Sequence, residues 1–124
     1  MKYVILVYHN PRTREVFESL TDEQRAAGFR AYAALDRDLR AAGELLASEA
    51  LDDPSTGRAV TVRDGRAIVT DGPFAEAKEH LAGFYLVECD TAERAVECAA
   101  RIPEASAGLT VEVRPVRDFP GMEA

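Results

Sequence analysis

Lys2-Tyr3-Val4-Ile5-Leu6-Val7-Tyr8 carries apolar side chains on both alternating faces, Tyr3, Ile5 and Val7 on one and Val4, Leu6 and Tyr8 on the other. Side chains along a strand alternate between the two sides of its sheet, so a run that is apolar on both sides belongs in the middle of a sheet with both faces covered. The rest of the chain must then supply strands to flank this one and layers to cover it. His9-Asn10-Pro11 breaks the run, and the polar stretch to Ser19 reads as a loop or irregular turn.

Beyond it, Thr21-Asp22-Glu23-Gln24 has capping-box spacing, in which the Thr hydroxyl and the Gln side chain each satisfy a free backbone N–H at a helix start. Phe29, Tyr32, Leu35, Leu39 and Ala42 follow as one apolar stripe and Gly43 supplies a stop; Asp36 and Arg40 sit one turn apart, as in a surface ion pair. Residues 44–51 read as a strand that ends in the loop Asp52-Asp53-Pro54-Ser55-Thr56-Gly57. Ala59–Arg63 and Arg66–Thr70 flank Asp64-Gly65, a dipeptide that accepts the positive φ angles of a tight hairpin. Pro73 then suits the first position of a short helix running through His80 and Leu81 and closed by Gly83, and Phe84–Glu88 forms a strand. Asp90 and Glu93 have capping-box spacing for a second long helix with Ala92, Ala95, Val96, Ala99 and Ile102 as its stripe and Pro103 as its end. Leu109, Val111 and Val113 alternate with Thr110, Glu112 and Arg114, a strand with one face in the core and one facing water or a partner. The order strand-helix-strand, hairpin, strand-helix-strand predicts an α+β, ferredoxin-like split βαβ fold with an inserted hairpin, in a single domain spanning residues 1–124.

Composition narrows the partners. With 22 acidic and 15 basic residues, the net charge of -7 repels nucleic acid and anionic lipid surfaces. Thirteen of the 15 basic residues are Arg, so a local patch for carboxylate or phosphate remains open, as does GC-rich coding as the origin of the bias. Cys89 and Cys98 form neither a disulfide framework nor a four-ligand metal set and read as small core residues. The first apolar run is too short to span a bilayer and has no cleavage site after it, so a cytoplasmic location is expected.

Asp71-Gly72-Pro73-Phe74-Ala75-Glu76-Ala77-Lys78-Glu79, followed by Leu81 and Gly83-Phe84-Tyr85, resembles the DGPF signature of YCII-related proteins. Met1-Lys2-Tyr3, Arg63-Asp64-Gly65, Arg101-Ile102-Pro103 and Val111-Glu112-Val113-Arg114-Pro115 resemble the same family, so the likeness spans nearly the whole chain. The resemblance implies a homodimer whose sheets pack face to face as a dimeric α+β barrel, with Thr110, Glu112 or Arg114 near the interface. It also implies kinship with small-molecule isomerases, monooxygenases and a dehydrochlorinase, alongside DGPF proteins encoded beside extracytoplasmic-function sigma factors. A His–Asp pair with its His on the first helix is associated with the enzymes of the family; no His lies between Thr21 and Gly43 here, so that pair does not carry over.

The candidate chemistry therefore rests on other groups. His9, just past the first strand, and His80, four residues after Glu76, are the only histidines, and a His oriented by a carboxylate exchanges protons near neutral pH. Asp71 offers such a carboxylate, or a cap for the turn that follows it. Tyr8 and Tyr32 are candidate pocket hydroxyls, together with Tyr85, and Phe74, Glu76 and Lys78 are candidate ligand contacts on the motif, where an anchored ring and a solvated charged face are the structural alternatives. No phosphate-cradling loop, nucleophile elbow or metal-ligand spacing is visible, so no cofactor and no metal are expected. Together with the resemblance, which implies the dimer and the sigma-factor link, these residues lead to a small-molecule-binding dimer with acid–base isomerase or lyase chemistry, or alternatively to a non-enzymatic regulatory protein linked to a sigma factor.

Overall fold

A computed structural model describes residues 1–73 and 78–120. The opening run forms β1 (Lys2–His9), with β5 (His80–Glu88) and β6 (Val111–Pro115) antiparallel on its two edges. β2 (Leu45–Ala50) adds to the free edge of β5, giving a four-stranded sheet in the order β2-β5-β1-β6. This is the split βαβ order, and the chain has the α+β ferredoxin-like fold.

Register decides which side chains share the core. Ile5 lies opposite Tyr85 and Val113, and Tyr3 opposite Val87, so one sheet face collects Tyr3, Ile5, Val7, Tyr85 and Val87. Leu35 and Leu39 of helix α2 (Asp22–Ala41), Ala95 and Cys98 of α3 (Ala92–Ala100), and Ile102 join that face to form the core. The other face, with Val4, Leu6 and Tyr8 beside Phe84 and Leu86, is half-buried, and Glu112 and Arg114 project from it opposite Leu6 and Val4. Among the described residues no helix is long and apolar enough to cross a membrane.

The capping box at the start of α2 is complete: Thr21 Oγ1 accepts from the Gln24 amide at 3.1 Å and the Gln24 side chain accepts from the Thr21 amide at 2.8 Å. Asp36 and Arg40 pair at 2.8 Å, and Gly43 ends the helix at a φ of +69°. Several expectations need correction. The segment read as a loop contains α1 (Thr13–Glu18), started by reciprocal bonds between Asn10 and the Arg12 and Thr13 positions; six residues are too few to display a helical stripe. Phe29 is 75% exposed, outside the core-facing stripe assigned to it. The cap of α3 is Thr91, whose hydroxyl accepts from the Arg94 amide, and Val96 points to solvent. Pro103 begins a further helix, α4 (Pro103–Ser106), occupying a first-turn position where its missing N–H costs nothing.

The short helix expected after Pro73 falls partly on residues 74–77, outside the described set. Lys78 and Glu79 form a bend and His80 is already the first residue of β5, so no helix runs through Lys78–Leu81. The reason is tertiary: His80 and Leu81 pair with His9 and Tyr8 on β1. Gly83 accordingly lies within a strand, where an added Cβ would stand 3.0 Å from the Glu49 carbonyl oxygen.

The inserted hairpin joins β3 (Arg58–Arg63) to β4 (Arg66–Asp71) through Asp64 and Gly65, both at positive φ. All residues of both strands are exposed, including Val60, Val62, Ile68 and Val69. Its base is tied to the 3₁₀ turn Pro54–Thr56: the Gly72 amide donates to the Gly57 carbonyl at 2.9 Å, and a Cβ on Gly72 would come within 2.1 Å of the Pro54 carbonyl oxygen.

Candidate functional site

The last residue of β1 and the first of β5 are paired, so the only two histidines meet at one end of the sheet, ring centroids 6.0 Å apart and nearly perpendicular. A register shift between Val7 and Tyr8 immediately precedes them, the kind of irregularity that re-aims side chains at a sheet end. His9 Nε2 lies 3.1 Å from Glu104 Oε2, and the Tyr32 hydroxyl donates to Glu104 Oε1. Three elements therefore converge on one carboxylate: β1 brings His9, α2 brings Tyr32 and α4 brings Glu104 itself.

Glu104 is only 7% exposed. A buried carboxylate is costly unless its oxygens are satisfied, and here each oxygen has a partner. Burial, then the hydrogen bond to Glu104 and its charge, push the Tyr32 phenol far above its ordinary range, so it remains a protonated donor. With Glu104 accepting from Nε2–H, the imidazole takes the tautomer that leaves Nδ1 a lone pair; among the described residues no hydrogen bond to Nδ1 is found. That arrangement fixes the ring and leaves Nδ1 free to act as a base.

A cavity of about 650 Å³ opens beside this group, with His9, His80, Tyr32 and Glu104 in its wall, Phe29 and Tyr85 contributing aromatic surface, and residues 48–54 closing the far side. Burial drives the Tyr85 phenol up to about 12, with the charges of Asp36 and Glu104 adding to the shift. A second hollow of about 670 Å³ adjoins it and shares His9, His80 and Asp53. Phe17 closes this second side with its ring edge-on to His9 at 5.7 Å. Hydrogen bonding from Ser55 holds the Asp53 carboxyl below its ordinary range, and the nearby His80 acts in the same direction.

Of the residues expected to form the site, His9, His80 and Tyr32 come together. Tyr8 points to the opposite sheet face, where its hydroxyl donates to Glu112 Oε1 at 3.0 Å and Arg114 holds the same carboxylate at 2.8 Å. Asp71 is carried away at the end of the hairpin, exposed and 3.6 Å from Arg58, and Lys78 is exposed and lines neither hollow. Phe74 and Glu76 lie outside the described residues. Of the expected gathering of Tyr8, His9, Asp71 and a motif helix through His80, the structure brings His9 and His80 together, places Tyr32 and Glu104 beside them, and leaves Tyr8 and Asp71 elsewhere. Glu104 escaped sequence reading because its partners lie 95 and 72 residues away; the available signal was a carboxylate directly after a helix-starting Pro103. Among the described residues, no group of three or more His, Cys, Asp and Glu side chains is placed to hold a metal.

The chain is similar to the 5-chloro-2-hydroxyhydroquinone dehydrochlorinase of Burkholderia phenoliruptrix AC1100, solved in complex with 2,5-dihydroxybenzoquinone, with a TM-score of 0.50, 16% identity and coverage of 96% of each chain. At that identity the likeness bears on the fold. An uncharacterized protein of Rhizobium meliloti (strain 1021) is 32% identical over 117 residues, covering 94% of this chain and 92% of that protein. The YCII-related domain model matches residues 1–120, and with that match over almost its full length the chain belongs to the YCII-related family.

Proposed function

We propose that this chain is a small-molecule-binding protein whose cavity supports acid–base chemistry without a cofactor, of the isomerase or lyase kind. The observation that carries the reading is the buried Glu104 carboxylate, shared between His9 and Tyr32 at the wall of a cavity of ligand size. His9 takes or returns a proton at Nδ1, Glu104 fixes the ring and offsets the charge that develops on it, and Tyr32 holds Glu104 in place. His80, across the histidine pair, is a second group able to exchange protons with the ligand or with water. Asp71, Tyr8 and Lys78 have no part in this chemistry.

The reading is tested by screening small molecules for thermal stabilisation and then incubating the hits in D₂O. A proton-transfer site exchanges an activated C–H of a bound molecule for deuterium, seen as loss of its proton resonance. His9→Ala should slow that exchange by roughly 10²–10⁴-fold while His80→Ala slows it less. Exchange that proceeds equally in His9→Ala and the parent would overturn the assignment.

The half-buried sheet face supports a second part of the proposal, that two copies pair through Val4, Leu6, Phe84 and Leu86 with Glu112 and Arg114 beside them. Light scattering at micromolar concentration checks it, and a monomer would refute it. Buried free Cys89 and Cys98 suit a reducing compartment such as the cytoplasm.

A further inference from the structure

We infer that the cavity beside Glu104 takes a small molecule bearing a protonated amine on a flat or apolar body, and that it rejects carboxylates and phosphates. The inference rests on the preceding assignment of the cavity as a ligand site and deepens it by naming the class of ligand.

Charge is the first observation. Asp52, Asp53 and Glu104 line the cavity, and among the described residues no Lys or Arg does. The undescribed residues 74–77 and 121–124 contain no Lys or Arg, so they do not supply one. The Arg-rich composition that left open an anion-binding patch is spent elsewhere. In the adjoining hollow, Arg14 is held by Glu18 at 3.2 Å, and Arg25 by Asp22 and two backbone carbonyls. An anion entering the cavity would meet the Glu104 carboxylate with no fixed cation to offset it.

The aromatic surface is the second, independent observation. Phe29 stands at the cavity with 75% of its surface exposed, and Tyr32 lies one turn further along α2, so two aromatic rings face the space. Ring faces carry negative quadrupole potential and attract organic cations, most strongly where carboxylates share the site. The two histidines do not reverse the sign, since even with both protonated the three carboxylates of Asp52, Asp53 and Glu104 outnumber them.

The test uses the full chain and three probes of one shape and different charge: benzylamine, benzyl alcohol and benzoate, titrated at millimolar concentration while the His9 ring resonances are followed by NMR. Benzylamine should bind tightest and benzoate weakest, with at least a roughly ten-fold spread at low salt that narrows as salt is added. Benzoate binding as well as benzylamine overturns the amine assignment and leaves the cavity as a ligand site for another class. No response from His9 to any of the three overturns both. Glu104→Gln should erase most of the preference for benzylamine over benzyl alcohol, and Asp53→Asn, an exposed change that spares the fold, should reduce it by about two- to three-fold. A preference unchanged in Asp53→Asn and in any Glu104→Gln protein that folds would also sink the proposal.

Discussion

β1 and the β3–β4 hairpin are both rich in β-branched and other apolar residues, yet they meet opposite fates. In β1, Ile5 is fully buried and Val7 nearly so, whereas Val60 and Val62 of the hairpin are 61% and 71% exposed. Strand propensity therefore says that a segment will extend and pair, and says nothing about what covers it. β1 is stabilised by two neighbouring strands and a helical layer. Among the described residues the hairpin rests on its own pairing, its Asp64-Gly65 turn and the tie between Gly72 and Gly57, and a two-stranded hairpin is marginal on its own.

Substitutions grade this contrast. Leu39→Ala, at a fully enclosed position of α2, should cost about 2–5 kcal/mol in urea unfolding, since both transfer energy and a cavity are at stake; a loss below 1 kcal/mol, on the order of a surface change, would mean the helical layer is not the main cover of the sheet. Gly72→Ala, at the joint between body and hairpin, should cost about 1–3 kcal/mol because the new methyl must displace the Pro54 carbonyl. Val62→Thr should stay within about 0.5 kcal/mol in a dilute monomer. If the melting temperature of the parent rises with protein concentration and that of Val62→Thr does not, the hairpin is itself covered in the assembled protein, and the contrast with β1 belongs to the lone chain only.

The same contrast explains what could be read from sequence. Local chemistry was legible: the Thr21–Gln24 capping box, the Asp64-Gly65 turn, the two-faced β1 and the alternation around Val111 each depend on residues within a few positions of one another. Short elements were not, because α1 and α4 are too brief to show a period. The start of β5 at His80 was hidden for a different reason, as it is dictated by pairing with β1. At the candidate site the histidines and Tyr32 could be singled out by residue type, but the carboxylate that joins His9 to Tyr32 could not. Asp71 was the more visible choice, since it sits in the motif, but β4 places it on Arg58 in solvent. Within that motif Gly72 has a clear structural task, the close approach to Pro54.

The place of β1 in the sheet has a consequence for how the protein is made. Lys2 pairs with Glu88 and Val7 with Val111, so β1 leaves the ribosome about 80 and about 100 residues before the strands that pair with it. At about 5–20 residues per second, at least one hydrogen-bonding edge of an apolar strand stays open for roughly five to twenty seconds of synthesis. The hairpin, whose partners are close neighbours in the chain, closes long before that. The part of the molecule with the least cover in the finished fold is thus ready first, and the nascent chain depends on solubility elsewhere, or on a chaperone, until Val111 emerges.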